Sequence, residues 1–227
     1  HYSRRGNDPN RVPLIAFDYA GLSDKGEVVG LQFEPEDASA TKVLIVSVRC
    51  ADDKQSCVFG HIVPHKGVDE EKFAVDCLVG DILWTGYTSV MLKSDNEAAI
   101  LALLIESLKE LRINGLQQVM SENSPEYDPQ ANGAAENAVK AWKGMFRTQK
   151  SSLESSIAMK VPVRHPLTAW IVKWAGDVFV WQLKGHDGLT PYQRIRGKPF
   201  HTRLAALGET VRFKIRSTEP LPDDGER

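Results

Sequence analysis

Cysteine is scarce in this sequence: Cys50, Cys57 and Cys77 are the only three among 227 residues, and no two form a Cys-x-x-Cys pair. An odd count without paired spacing fits reduced thiols in a cytosolic or nuclear setting. Long apolar runs are missing as well. No segment approaches the roughly 18 continuous apolar residues of a membrane span, and no leader peptide opens the chain, so a membrane is not an expected partner. There is no internal repeat, which excludes a solenoid. The chain opens on His1 rather than methionine and is expected to be a piece of a longer polypeptide. A net excess of charge is also lacking, since 28 Lys and Arg against 30 Asp and Glu leave −2.

That near-neutral sum conceals a division. Residues 1–136 hold 12 bases and 22 acids, a balance of −10, residues 137–216 hold 15 bases and 4 acids, a balance of +11, and the tail stands at −3. An acidic front joined to a basic back points to a polyanionic partner. With 42% hydrophobic residues the chain can bury one good core and a small appendage.

The stretch from Tyr127 to Lys150 organises the basic half. It begins with loop and helix-start residues, Pro129, Asn132 and Gly133, and continues as a long helix broken only by Gly144. Asn132 is a candidate N-cap, which puts Glu136 in the first turn, where the helix dipole favours a carboxylate. Lys140, Lys143, Arg147 and Lys150 then follow at steps of four, three, four and three, one stripe of the helix. Ala138, Ala141, Trp142, Met145 and Leu153 form the apolar side. A charged stripe is most often a solvated face. Here four bases are answered only by Glu154, and a lone acid at the head of a basic ridge suits a metal ion beside a phosphate backbone.

In chain order, residues 1–12 read as a basic arm with Arg4, Arg5 and Arg11. Leu14–Tyr19 is an apolar strand containing one acid, Asp18, whose burial is costly unless it is paired or bound to metal. A loop over 20–41 leads to β-branched runs over 42–48 and 56–63, then to a helix capped by Asp69 and ending near Trp84. A short strand over 90–93 ends at Ser94-Asp95-Asn96. An amphipathic helix follows to Asn114, stopped by Gly115, and a fifth strand spans 117–120. This succession predicts an α/β domain with a five-stranded mixed sheet over residues 13–160. A helical extension over 161–208 carries Trp170, Trp174, Val178 and Trp181 at helical spacing, a core pattern with a subunit interface as second reading. Residues 185–200 are basic and turn-rich. Val211–Ile215 alternates like a strand before an acidic tail, within a last segment of 209–227.

Three acids stand at element ends: Asp18, Asp95 and Glu136. Strand ends and helix starts at one edge of an α/β sheet are where sites form. Carboxylates gathered there suit two magnesium or manganese ions, which would clamp the attacking and leaving oxygens of a phosphoryl transfer.

The same residues carry a resemblance. Ile-Ala-Phe-Asp18-Tyr, Lys-Ser-Asp95-Asn and Tyr-Asp-Pro-Gln-Ala-Asn-Gly-Ala-Ala-Glu136-Asn, over about residues 12–160, resemble the catalytic core of retroviral and retrotransposon integrases. Asp187 to Phe200 further resembles the segment after the core in copia-type retrotransposon polyproteins. The resemblance implies a ribonuclease-H-like fold and two Mg²⁺ or Mn²⁺ ions on Asp18, Asp95 and Glu136. It implies Lys140 and Lys143 on the element's DNA end, and Tyr127, Gln130 and Asn132 on a mobile loop beside it. Arg147 and Lys150 would extend the phosphate track. The implied activity is processing of the element's 3′ end and strand transfer into target DNA, by a homodimer or larger assembly in the nucleus or an element particle.

The sequence departs from that family in places. Forty residues separate Asp95 from Glu136, a few more than the retroviral spacing; Glu122, Glu126 and Asp128 in the intervening loop are rival third ligands to Glu136, with solvated loop acids as the favoured reading. The His-His-Cys-Cys zinc module is absent, and His61 and His65, flanking Pro64, do not replace it. The rival readings are a transposase of the same superfamily, a ribonuclease H, and a decayed or domesticated copy that only binds DNA or a partner.

Overall fold

The computed structural model describes residues 12–23, 28–29, 40–49, 56–123 and 133–212. Its centre is a mixed sheet of β1 (Leu14–Leu22), β3 (Thr41–Arg49), β4 (Ser56–Val63), β5 (Ser89–Ser94) and β6 (Gln118–Asn123), in the order β4-β3-β1-β5-β6. A two-residue strand, β2 (Val28–Val29), pairs with the end of β1 inside the stretch read from sequence as loop. β3 runs antiparallel to both β1 and β4, while β1, β5 and β6 are parallel.

Alternation along each strand divides the core in two. Ile15, Phe17 and Tyr19 of β1 join Leu44, Val46 and Val48 of β3 on one face. Ala20 and Leu22 join Val43 and Ile45 on the other. Strands buried on both faces read as continuous apolar runs, which is why β1 and β3 are legible in sequence. The first face is covered by α1 (Phe73–Thr85) and α2 (Ala98–Ile113), the second by α3 (Gly133–Ile157) and α4 (Leu167–Trp181).

Glycine decides how closely the second layer docks. A Cβ on Gly60 would stand 2.6 Å from the Trp142 indole nitrogen, and one on Gly176 would stand 2.9 Å from the Val58 carbonyl oxygen. The absence of both methyls lets the Trp142 indole approach β4 closely and brings the α4 backbone onto the same strand. Trp142 is fully buried, stacks on Phe146 with ring centroids 5.2 Å apart, and donates its N–H to the Val172 carbonyl at 3.3 Å.

On α3 the apolar side is Ala135, Ala138, Trp142, Phe146 and Leu153, whereas Ala141, read as part of it, is exposed. The α1 start uses Asp69 as expected, its Oδ1 accepting the Phe73 N–H at 3.1 Å, and Gly86, at φ 75°, ends the helix.

α4 buries Ile171, Val172, Ala175 and Phe179 in the second core, so it completes the sheet's cover. Trp174 donates to Gln149 at 3.2 Å and Trp181 stacks on Phe200 at 5.0 Å. Of the three tryptophans at helical spacing, only Trp170 faces outward, 67% exposed.

The turn-rich stretch contains a short helix, α5 (Pro191–Arg196), that the sequence reading passed over. Thr190 accepts from the Gln193 N–H at 3.2 Å, while the Gln193 side chain accepts from the Thr190 N–H at 2.9 Å. Thr-Pro-x-Gln is the visible signal for it. Val211 and Arg212 are irregular, and 213–215 lie outside the described residues, as do the basic arm to residue 11 and the acidic tail.

Candidate functional site

The parallel pairing of β1 and β5 places the first two acids. Leu14, Ile15 and Ala16 stand opposite Met91, Leu92 and Lys93. Carried two residues further, that register sets Asp18 beside Asp95, immediately past the C-terminal end of β5. Asp18 shares the parity of Ala20 and Leu22, so it belongs to the sheet face that α3 covers. Two carboxylates 77 positions apart in the chain therefore meet at the carboxyl edge of a parallel strand pair, where α/β sheets bind ligands.

Their electrostatics are those of a repelled cluster. Burial pushes the Asp18 carboxyl above the usual carboxylate range, against the Tyr19 N–H that donates to its Oδ1 at 2.7 Å. The charges of Asp95 and Glu97 push it up further, and Lys66 opposes them. Asp95 is exposed, its Oδ1 accepting the Asn96 N–H at 2.7 Å. Glu97, just before α2, holds the Lys66 ammonium at 3.0 Å. Neither Lys66 nor Glu97 was singled out from the sequence. The only signal was a third acid two places beyond Asp95.

Glu136 lies in the first turn of α3, as expected, and is exposed. Among the described residues no three carboxylate, imidazole or thiol side chains converge closely enough to hold a metal ion. The structure thus brings Asp18 and Asp95 together and does not draw Glu136 into the same group. Tyr127, Gln130 and Asn132, with the loop acids Glu126 and Asp128, lie outside the described residues, and so does the side chain of Glu122.

Along the basic stripe Lys140 and Arg147 are exposed and Lys143 is partly buried. Lys150 is different. Its ammonium is bound to Glu154, a side chain 7% exposed that also accepts from Lys160 at 2.8 Å and from the Val161 N–H at 2.9 Å. Burial pushes the Glu154 carboxyl up, but these donors together hold it at about 2. Lys150 thus ties the end of α3 to the segment that follows it.

A second cluster of charge lies at the sheet's outer strand β4, where β4, α1 and α4 line a cavity of about 210 Å³. His61 Nε2 and Asp81 Oδ2 are 2.8 Å apart, and Lys173 is 3.1 Å from Asp177. Burial lowers the proton affinity of His61, but hydrogen bonds with Asp81 and Cys77 and the Asp81 charge raise its pKa to about 10. Trp84 and Trp181 wall this cavity. Each carboxylate here has its own cation.

No family model matches the sequence, and no curated protein matches it. Among solved structures the chain is similar to the catalytic core domain of BIV integrase, with a TM-score of 0.50 and 17% identity, covering 81% of this chain and 93% of that one. It is also similar to a chain of the simian T-cell lymphotropic virus intasome in complex with a PP2A regulatory subunit, with a TM-score of 0.53 and 15% identity. That match covers 93% of this chain and 63% of the other. At these identities the likeness shows the fold, the ribonuclease-H-like mixed sheet of integrase cores with helices on both faces. Among the described residues no helix is long and apolar enough to cross a membrane.

Proposed function

We propose that this chain is an integrase catalytic core, a metal-dependent polynucleotidyl transferase encoded by a retroelement of copia type. The observation that carries the reading is the meeting of Asp18 and Asp95 at the carboxyl edge of β1 and β5, on the sheet face that α3 covers. An all-oxygen donor set whose most buried member is repelled by its neighbours fits a hard divalent cation, because the cation would neutralise the repulsion that burial amplifies.

In this reading Asp18, Asp95 and Glu136 hold two Mg²⁺ or Mn²⁺ ions, with Glu136 contributed from the first turn of α3. The ions, when bound, supply an activated water and charge stabilisation for in-line phosphoryl transfer. The chain's own residues do the positioning. Exposed Lys140 and Arg147 and partly buried Lys143 run down α3 from Glu136 and grip successive phosphates of the element's DNA end. Tyr127, Gln130 and Asn132 flank that end. Lys150, committed to Glu154, closes the track instead of extending it. No covalent enzyme intermediate is needed, so no Ser, Cys or Tyr nucleophile is assigned; orientation and charge carry the reaction. The reactions are 3′-end processing followed by strand transfer into target DNA. The active form is a homodimer or larger, with exposed Trp170 in its interface.

The test is strand transfer of a short duplex carrying the element's end into plasmid DNA, in Mg²⁺ and in Mn²⁺. Metal-dependent joining that is lost in Asp95→Asn is expected. Cleavage of RNA–DNA hybrid without strand transfer would reassign the chain to ribonuclease H. DNA binding that survives Asp95→Asn, in a wild-type chain with no metal-dependent nicking, would reduce it to a binding module.

A further inference from the structure

We propose that Lys66 contacts a DNA phosphate at this site, and that Glu97 is the positioning residue that aims its ammonium there. The inference rests on the DNA-processing reading above. It starts from how firmly the loop after β4 is held. The Gly67 N–H donates to the Tyr19 hydroxyl at 2.9 Å, and Tyr19 is the neighbour of Asp18 on β1. Gly67 itself sits at φ +85°, where a Cβ would be 3.2 Å from the Ala99 carbonyl oxygen, so the loop lies tight against the start of α2. A lysine rooted there is fixed at both ends. Its Nζ is 3.0 and 3.4 Å from the two Glu97 oxygens and 5.9 Å from the centroid of the Tyr19 ring.

Asp18 feels the negative charges of both Asp95 and Glu97 at this end of the sheet, and the summed field of the three acids repels a phosphate backbone. Lys66 is the cation acting on Asp18 from within that group. The two side chains of the pair are 21% and 20% exposed, withdrawn from bulk water but not sealed from it. A surface lysine gives up much of its rotamer freedom when it binds a phosphate. Lys66 is already ordered by Glu97 and Tyr19, so its contact costs less. Glu97 is two residues beyond Asp95, so the pair also links the loop after β4 to the turn that carries the second site acid.

The experiment measures anisotropy of a labelled DNA duplex in EDTA, as log K against log salt. Lys66→Met keeps the aliphatic stem against Tyr19 and is expected to melt like the wild type. It should flatten the salt slope by about 0.9, one phosphate contact, and weaken binding several-fold at fixed salt. Lys66→Arg should restore the slope. Lys109→Ala, which removes an equal charge from α2 far from the acids in sequence, should leave it unchanged. Glu97→Ala should keep the wild-type slope yet bind several-fold more weakly, although it removes a negative charge; tighter binding would overturn the positioning role. An unchanged slope in Lys66→Met, with a flattened slope in Lys140→Ala, would overturn the contact and leave the DNA-processing reading standing. A wild-type chain without salt-dependent DNA binding would sink both.

Discussion

Asp18 and Asp81 are both aspartates drawn out of water against the same sheet, and their neighbours differ in sign. Asp81, on α1, faces the His61 imidazolium of β4 at 2.8 Å. Asp18, on β1, faces the charges of Asp95 and Glu97, against the Tyr19 N–H and the Lys66 ammonium. Burial magnifies charge interactions of either sign, so one cluster is a brace and the other is a stored repulsion. A folded chain keeps such repulsion where a ligand relieves it. Burial raises the proton affinity of both carboxyls; what separates the two sites is the charge of what stands next to them.

The largest expected effects come from the repelled pair. Asp95→Asn or Asp18→Asn should lower strand transfer by on the order of 1,000-fold, the several kcal/mol that a metal ligand set supplies. Thermal unfolding of the same variants should show a melting temperature equal to or above that of the wild type, since each removes a like charge. A lower melting temperature for Asp18→Asn would erase the contrast with Asp81.

In the cluster beside β4 the sign reverses. Asp81→Asn strands a mostly buried imidazolium and should cost about 3–5 kcal/mol in denaturant unfolding. The pH dependence follows. His61 holds its proton to about 10 in the folded chain against 6.5 in the reference state. Its contribution is therefore complete below pH 6.5 and is lost as pH rises toward 10. Stability measured across that window should decline in the wild type by more than in His61→Gln, and parallel curves would break the assignment.

Smaller effects probe the scaffold that both clusters share. Gly60→Ala drives a methyl into the Trp142 ring and should cost about 1–3 kcal/mol. Glu154→Gln should cost about 1 kcal/mol and free Lys150. The Glu154 carboxyl is held at about 2 against 4.5, so its contribution is present above pH 4.5 and is lost as pH falls toward 2. An acid unfolding limb identical in wild type and Glu154→Gln would show that the Lys150 pair is inert, returning that lysine to the DNA track.

Much of this was legible in the residues. The β1 and β3 runs, the Asp69 cap and the start of α3 near Gly133 all announce themselves within a few positions, because strand alternation, capping and turn chemistry act locally. The β2 strand was missed because two residues carry no periodicity, and α5 because Gly and Pro around Thr190 resemble a turn. The basic stripe was read as four bases answered only by Glu154, without saying which of them that acid takes; the structure pairs it with Lys150. Periodicity shows which side chains share a face; whether a facing pair is buried together depends on what packs over it, here Val161 and the chain beyond α3.

The sequence by itself determined the elements, the double-sided apolar strands and the presence of an acid at each of three element ends. Tertiary structure alone decided that Asp18 stands beside Asp95, through a parallel register with no local signature. It also decided that Lys66 reaches Glu97, 31 residues away, to become part of the acids' field. The reason is range. Backbone preferences are set by near neighbours, whereas the sign and burial of a charge's surroundings depend on which distant strands and loops fold against it.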